Sequence, residues 1–480
     1  MRVATVFSGI GAIEHALERM GIDHEIVFAC DNSDIDPFEK LTLRQVSAFS
    51  DRLIELGATV TELEKTKLSC GEILVDEIIS NCKKAIMSIE NSENRITAVN
   101  ELYALRRKQP FVEKSYLANY HVPEGHFHKD VTLLDGTPYK DDVDLFVGGS
   151  PCQSFSFVGH QAGFEDARGT LFHDFVRLID EIQPRMFIWE NVKGVYTHDS
   201  GSTWEVISRC FDATGYKWHH QVMNSIDYGI PQHRRRVFVV GFREGGGGFT
   251  FPEPVQLRTR MQDFLEDKVA GKYYLGTKGV DFVTWDKNHR KQYTQINGEI
   301  MLCQKANQQF NWHGDFVFVE ENEGQHQVDE KYFLSQKVES YVMASGTKGF
   351  RAKPEIDLEV ARPLLATMHK NHRAGVDNYV TTEGRIRMLT PKECLRLMGF
   401  CDSFEQVVSN LQLYRQAGNS IVVDVLIAIM ALAIPSLASE HSTFAGLKER
   451  AENVRSIFDE LPERQIQQSD LERVVAALEN

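Results

Sequence analysis

Cysteine is scarce in this chain and never closely paired. Eight residues are scattered over 480 positions, with no C-x-x-C and no metal-ligand spacing. That argues against a disulfide-stapled scaffold and for a reduced chain whose cysteines are mostly small core residues. Long apolar runs are lacking too. The longest, "IVVDVLIAIMALAI" from Ile421 to Ile434, is too short to cross a bilayer and carries Asp424, so it reads as a buried helix. No secretory leader is seen, since Met1 is followed almost at once by the strand-like "VATVF". Positive charge is in deficit: 53 lysines and arginines against 68 aspartates and glutamates leave a net charge of −15. Such a chain does not coat nucleic acid indiscriminately, and a polyanion must be met by local patches. Three short basic runs exist: "QHRRRVF" (Gln232–Phe238), "KNHRK" (Lys287–Lys291) and "HKNHR" (His369–Arg373). Internal repeats and low-complexity tracts are absent. With 42% hydrophobic residues, the expectation is a soluble, cytoplasmic protein of two or three domains.

What is present is an alternation of strands and helices. Val3 to Phe7 reads as a buried strand, Ser8 to Gly11 as a tight turn, and Ile13, Ala16, Leu17 and Met20 as one face of a helix. "HEIVFACDNSD" is a second strand ending in acids, which makes a βαβ opening. From about 38 to 120 the pattern turns helical, with Val75, Ile78, Ile79, Cys82, Ile86 and Ile89 at helical spacing, and reads as an insertion outside the sheet. Alternation resumes with "DVDLFVGG", "PRMFIWENV" and "HRRRVFVVGF", predicting a doubly wound, mostly parallel sheet with helices on both faces. Residues 250–384 are polar, aromatic-rich and aperiodic, predicting a smaller irregular domain of loops and short strands. "TPKECLRLMGF" then predicts a helix with Thr390 as N-cap and Pro391 in the first turn. The tail from 435 to 480 reads as charged and helical.

The residues with chemical potential fall at strand ends. Gly9 and Gly11 sit at a strand–turn–helix junction, where backbone can approach a ligand and free N–H groups face it. Glu14 stands where a dinucleotide fingerprint needs a third glycine, which disfavours an NAD-dependent oxidoreductase. Asp31 ends the second strand and is placed to accept two ribose hydroxyls. Cys152 follows "GGSP" at the end of another strand, and Glu190 in "WENV" ends the next. In a parallel sheet these ends share one edge, the edge where ligands bind. A thiol there is a candidate nucleophile, with Glu190 and the pair Arg234 and Arg236 as candidate partners.

Six segments together resemble the cytosine-C5 DNA methyltransferases: "FSGIGAIEHAL", "GGSPCQSFSFVG", "ENV", "QHRRRVFVVG", "RMLTPKECLRLMGF" and "QAGNSIVV", in that family's order. The likeness covers most of 1–35, 126–243 and 385–434, whereas the helical block at 38–120 is no part of the family's minimal core. It implies a Rossmann-like methyltransferase lobe over 1–249, a target-recognition domain over 250–384, and a return to the catalytic lobe over 385–434. It implies S-adenosyl-L-methionine as cofactor and a specific double-stranded DNA sequence as substrate. Cys152 would add to carbon 6 of a flipped cytosine, which makes carbon 5 nucleophilic. Glu190 would engage the N3 side. Arg236, helped by Arg234, would contact the O2 edge and steady the adduct. Pro151 would present the ring to the methyl donor, and Gln153 to Thr170, with Arg168, would form a closing loop. Phe7, Ser8, Gly9 and Gly11 would line the cofactor, with Asp31 and Asn32 at its ribose, Asp130 and Val131 at its adenine, and Leu171, Asn419 and Ser420 completing the contacts. Asn419 has a second reading, as a cap for the helix after it. No metal is implied. A monomer is expected, in a restriction–modification setting with a cognate endonuclease, as a solitary methylase, or in phage self-protection. The alternative substrate is transfer RNA, methylated by enzymes with the same core. A catalytically dead DNA-binding protein is disfavoured because Cys152 and Glu190 are both present.

Overall fold

The computed structural model describes residues 1–39, 41–59, 75–151, 171–266, 277–306, 312–319, 385–388 and 390–438, with short pieces at 269, 273, 275, 346–347 and 350–351. The chain divides into two compact units. Unit 1 comprises Met1–Phe264, Cys303–Asn307 and Cys394–Asn480; unit 2 comprises Leu265–Leu302 and Gln308–Glu393.

Unit 1 is built on a seven-stranded sheet in the order β3-β2-β1-β4-β5-β7-β6. The strands are β1 (Arg2–Val6), β2 (Glu25–Cys30), β3 (Phe127–His128), β4 (Leu145–Gly148), β5 (Met186–Val192), β6 (Lys217–Asn224) and β7 (Arg235–Phe242). β3, β2, β1, β4 and β5 pair in parallel. Consecutive residues of β1, β4 and β5 are buried, so both faces of the sheet are covered there. This is the doubly wound α/β fold that the alternation predicts.

The far edge departs from expectation. β7 runs antiparallel to both β5 and β6. Only ten residues separate Asn224 from Arg235, too few for a crossover helix, so the chain must return antiparallel. β6, "KWHHQVMN", went unread because it is an edge strand whose side chains are mostly half-exposed and polar.

Helix α1 (Ala12–Arg19) follows β1. The block after β2 contains α2 (Leu43–Glu55), α3 (Val75–Met87), α4 (Ser92–Ala104) and α5 (Phe111–Asn119). Two of its helices start where capping chemistry dictates: Thr42 and Gln45 form a capping box before α2, and Asn91 accepts the Asn94 N–H before α4. The block has its own core, including Phe49, Leu53, Ala85, Ile86, Ile89 and Leu102, and Arg52 pairs with Glu101 to join α2 to α4. α5 does more than decorate the sheet. Its Tyr116 packs on Phe127 of β3, and Tyr120 just past its end lies against Gly11. α6 (Leu171–Ile182) and α7 (Ser202–Ala213) bury Phe172, Phe175, Ile179 and Phe211 against Phe146, Phe187 and Trp189 of the sheet.

In unit 2, α8 (Thr277–Thr284) and α9 (Asp286–Arg290) precede a three-stranded sheet. It comprises β8 (Thr294–Ile296), β9 (Gly314–Val319) and β12 (Arg385–Met388) in the order β12-β9-β8, and β10 (Gly346–Thr347) pairs with β11 (Phe350–Arg351). Asp315 on β9 is buried and accepts the Leu302 N–H and the Gln295 amide, and burial pushes its carboxyl up to about 8.

α10 (Pro391–Arg396) opens with the predicted cap. The Thr390 hydroxyl accepts the Glu393 N–H, while the Glu393 carboxylate accepts the Thr390 N–H at 2.7 Å. α11 (Asn410–Asn419) and α12 (Val423–Ala438) follow. α12 runs through Pro435 to Ala438, past the end of the apolar run. The stretch Asn410–Leu437 is long and apolar enough to cross a membrane, but 72% of its most apolar window is buried inside the protein. Asp424, fully buried on α12, pairs with Arg19 of α1 at 2.7 Å, so the buried-helix reading holds. The C-terminal tail beyond 438 lies outside the described residues.

Candidate active site

The turn after β1 is tightly wound. Phe7, Gly9 and Gly11 all have positive φ, at 54°, 55° and 80°. For Phe7 that conformation is strained, and such strain collects at ligand-binding turns. The Ser8 hydroxyl accepts the Cys30 N–H at 3.0 Å, and the Ser8 N–H donates to the Cys30 carbonyl, which fixes the turn to β2. Gly9 donates its N–H to Asp31 Oδ2 at 3.0 Å, and Ser33 donates to Oδ1 at 2.7 Å. Burial pushes the Asp31 carboxyl up to about 6, although these two N–H groups favour the anion. The two glycines serve different ends. A Cβ at Gly9 would meet only the Phe7 carbonyl oxygen at 3.9 Å, so its face is open, whereas a Cβ at Gly11 would lie 2.1 Å from the Tyr120 ring. Asn32 is exposed, and its Oδ1 accepts the Asp34 N–H.

The ends of β4 and β5 meet beside this turn. Register places Gly148 between Val6 and Trp189. A Cβ at Gly148 would lie 2.8 Å from Val6 and 2.9 Å from Phe175, and one at Gly149 would lie 3.1 Å from Glu190 Oε2, which explains the paired glycines. β5 then uses alternation twice. Trp189 donates its indole N–H to the Ser150 hydroxyl at 3.1 Å, and Asn191 donates to the Ser150 carbonyl at 2.8 Å. Between them, Glu190 pairs with Arg236 Nε at 3.0 Å, and this pair is largely buried. Burial raises the Glu190 pKa, while the Arg236 and Arg234 charges oppose the rise. Ser150 is thus anchored two residues before Cys152. Pro151 is exposed; Cys152 and the loop to Thr170, with Arg168, lie outside the described residues.

Arg234 is held by backbone carbonyls while its charge still acts on Glu190. It is buried, and its guanidinium donates to the carbonyls of Gln304, Gly418 and Ser420 at 3.0, 3.0 and 2.8 Å. Gln232 accepts the Gln304 N–H and donates to the Leu397 carbonyl. Arg234 therefore holds the 418–420 turn to residue 304, and Gln232 ties Gln304 to Leu397, roles that nothing local in the sequence signals. Asn419 closes α11 rather than capping α12, and Ser420 follows it, buried.

One cleft brings together Phe7, Ser8, Gly9, Gly149, Glu190, Asn419 and Ser420. Asp130 lines a different hollow, between β3 and α4, with Arg95, His126 and His128. Its carboxylate accepts the Tyr103 hydroxyl and both donors of Thr132. Val131 sits in the main core, with Leu171 packed against it at the start of α6. The cleft suits a cofactor with a ribose and a charged tail. It has an open glycine face after β1, where the Gly9 N–H is held by the half-buried Asp31, and a buried Glu14 whose Oε2 has no hydrogen-bond partner.

The sheet and its cleft are those expected of an S-adenosylmethionine-dependent α/β methyltransferase. The sequence profile of the C-5 cytosine-specific DNA methylases matches residues 78–433. The Type II methyltransferase M.HhaI of Haemophilus parahaemolyticus is 31% identical over 319 residues, spanning 66% of this chain and 82% of its own. M.HpaII of Haemophilus parainfluenzae is 31% identical over 318 residues, spanning 65% and 76%. The orphan methyltransferase M.SPRI of Bacillus phage SPR is 29% identical over 416 residues, spanning 71% and 94%. The crystal structure of the S. pombe Dnmt2 methyltransferase shares the fold, with a TM-score of 0.50 at 16% identity, covering 92% of this chain and 99% of that one. The chain belongs to the C-5 cytosine-specific DNA methylases. It is a DNA methyltransferase that takes its methyl group from S-adenosylmethionine.

Proposed function

We propose that this enzyme methylates carbon 5 of a cytosine turned out of a specific duplex DNA sequence, through a transient covalent bond to Cys152. The observation that carries this reading is the Glu190–Arg236 pair beside the anchored Ser150, at the edge where the parallel strands end. S-adenosylmethionine supplies an electrophilic methyl group, held by the Phe7–Gly9 turn, Asp31 and Asn419–Ser420. The Cys152 thiolate adds to carbon 6, forming a C–S bond and pushing electron density toward carbon 5. Glu190 is a buried acid whose pKa is raised, which suits it to give a proton or hydrogen bond to N3 as charge develops there. Arg236 orients Glu190 through its Nε and completes the pocket at the base's O2 edge. After carbon 5 is methylated, its proton leaves to a base and the C–S bond breaks, which restores the ring and frees Cys152. Residues 250–384 supply sequence recognition by placing side chains on base edges.

Transfer of labelled methyl groups to duplex DNA but not to transfer RNA tests the substrate, and bisulfite sequencing of DNA from expressing cells maps the site. Labelling of transfer RNA alone would overturn the DNA reading.

Asp31→Ala is expected to weaken S-adenosylmethionine binding by about 1.5–3 kcal/mol, roughly 10- to 150-fold in Kd, because a charge-assisted acceptor is lost. Calorimetry showing unchanged affinity would place the ribose elsewhere.

In unit 2, Lys287, Arg290 and Lys291 are exposed. Lys287 Nζ lies 5.3 Å from the centre of the Trp285 ring, and Lys291 Nζ lies 5.6 Å from that of Tyr293. Replacing the three cations together should weaken binding to all DNA sequences alike, and flatten the log–log salt dependence by about 0.9 for each phosphate no longer neutralised. An unchanged slope would remove these residues from the DNA interface.

A further inference from the structure

Two carboxyl groups line the cofactor cleft and a third, Asp31, adjoins it through Gly9; two of the three have evident partners. Asp31 accepts the N–H groups of Gly9 and Ser33, and Glu190 is paired with Arg236. The remaining one is Glu14, in the first turn of α1, which is fully buried and lines the same cleft as Phe7, Gly9 and Glu190. The Tyr116 hydroxyl donates to its Oε1 at 2.5 Å, while Oε2 is buried with no hydrogen-bond partner. The groups acting on Glu14 come from three elements. They are Tyr116 and Tyr120 at α5, Thr5 on β1, and its own N–H and Glu18 on α1. None of them is a cation, and no lysine, arginine or histidine lines the cleft among the described residues. An isolated acid in such a place is expensive to ionise, and burial pushes this one up to about 7.

S-adenosylmethionine carries two positive groups, a sulfonium and an ammonium, against one carboxylate. We propose that Glu14 is the counter-charge for this cofactor: the free side of its carboxyl takes up the cofactor's positive charge, and binding expels the proton that Glu14 holds in the empty protein. The step balances as loss of one proton from the carboxylic acid to solvent when the cation enters. Glu14 takes no part in methyl transfer; it binds and positions the donor from beneath the turn. Tyr116, by holding Oε1, leaves Oε2 as the oxygen available to the ligand.

The sign of the pH effect follows. Below about pH 7 the empty protein holds Glu14 neutral, so binding must remove a proton, and affinity falls as pH falls. Above pH 7 Glu14 becomes fully ionised and its contribution to the pH dependence fades.

Calorimetry on the full chain, in buffers of different ionisation enthalpy at pH 6.5, reads this proton directly. The wild type should release up to one proton on binding S-adenosylmethionine, and its Kd should tighten between pH 6 and 7 by up to about tenfold per unit. Glu14→Gln keeps the acceptor for Tyr116 and should release clearly fewer protons than the wild type, with a Kd that changes less over that range; the remainder belongs to Asp31, whose carboxyl is pushed up to about 6. S-adenosylhomocysteine, which lacks the sulfonium charge, distinguishes the source. Proton release with both ligands assigns Glu14 to the ammonium, and release with S-adenosylmethionine alone assigns it to the sulfonium. Should Glu14→Gln fail to fold, infrared difference spectra of the wild type at pH 6.5 must lose a protonated-carboxyl band when cofactor is added. A wild type that releases no proton overturns the proposal. So does a Glu14→Gln protein that releases as many protons as the wild type, which would point to Asp31. Absence of any cofactor binding overturns the cofactor assignment together with the proposal.

Discussion

Replacing Cys152 by alanine is expected to lower methyl transfer by on the order of 10⁴-fold or more, the scale seen when a covalent nucleophile is removed. Binding of DNA and of S-adenosylmethionine should largely persist, because the thiol acts in the chemical step. The surroundings that are described support a fixed aim. Ser150 is tied down by the Trp189 indole and the Asn191 amide, and Glu190 projects between them toward Arg236. A free thiol, with a reference pKa of about 8.5, is only a few per cent ionised near neutral pH. A base activated toward attack by Glu190 and Arg236 therefore matters as much as the nucleophile. With 5-fluorocytosine at the target carbon, the wild type should form an adduct that survives denaturant, since fluorine does not leave as a proton does. A Cys152→Ala protein that still formed that adduct would show that the nucleophile lies elsewhere.

The second large effect is on stability. Arg19 Nη1 donates to Asp424 at 2.7 Å and to the Gly399 carbonyl at 2.8 Å, while Nη2 donates to the other Asp424 oxygen at 3.3 Å. Asp424 is completely buried and Arg19 is only 8% exposed. Asp424→Leu removes the carboxylate that accepts two bonds from the buried Arg19 guanidinium, and should cost about 3–5 kcal/mol in urea unfolding, read as a shift in midpoint at constant slope. Adding Arg19→Met should return most of that loss, because two apolar side chains then pack where two charges stood. A single substitution that costs less than about 1 kcal/mol would mean the pair is well hydrated.

How much of the site the sequence discloses depends on how local each feature is. The β1 turn is readable because Phe7–Gly11 carry their own backbone demands, and Asp31 is readable because a strand end places it. β4 and β5 are readable because central parallel strands are buried on both faces and so are apolar throughout. β6 is not, since an edge strand needs no such run. The cap at Thr390 is legible because both partners lie within one turn.

Other assignments depend on residues far apart in the chain. Arg234 reads as one of a pair of candidate active-site arginines, yet carbonyls up to 186 positions away take up its guanidinium. Gly11 reads as a glycine kept small for a ligand, and the tertiary structure gives its face to Tyr120 instead. Glu14 reads only as a missing glycine, because its burial depends on Tyr116, 102 positions on. Asp130 reads as a cofactor contact, and only the structure shows that the hollow it lines is completed by Arg95 and Val99 of the helical block. By itself, the order of strands, turns and strand-end residues determined that this is a doubly wound fold with an acid and a glycine turn along one edge. Which polar groups face the ligand, and which instead hold distant segments together, was decided only by tertiary packing, because a buried polar side chain takes its role from the partner that folding brings to it.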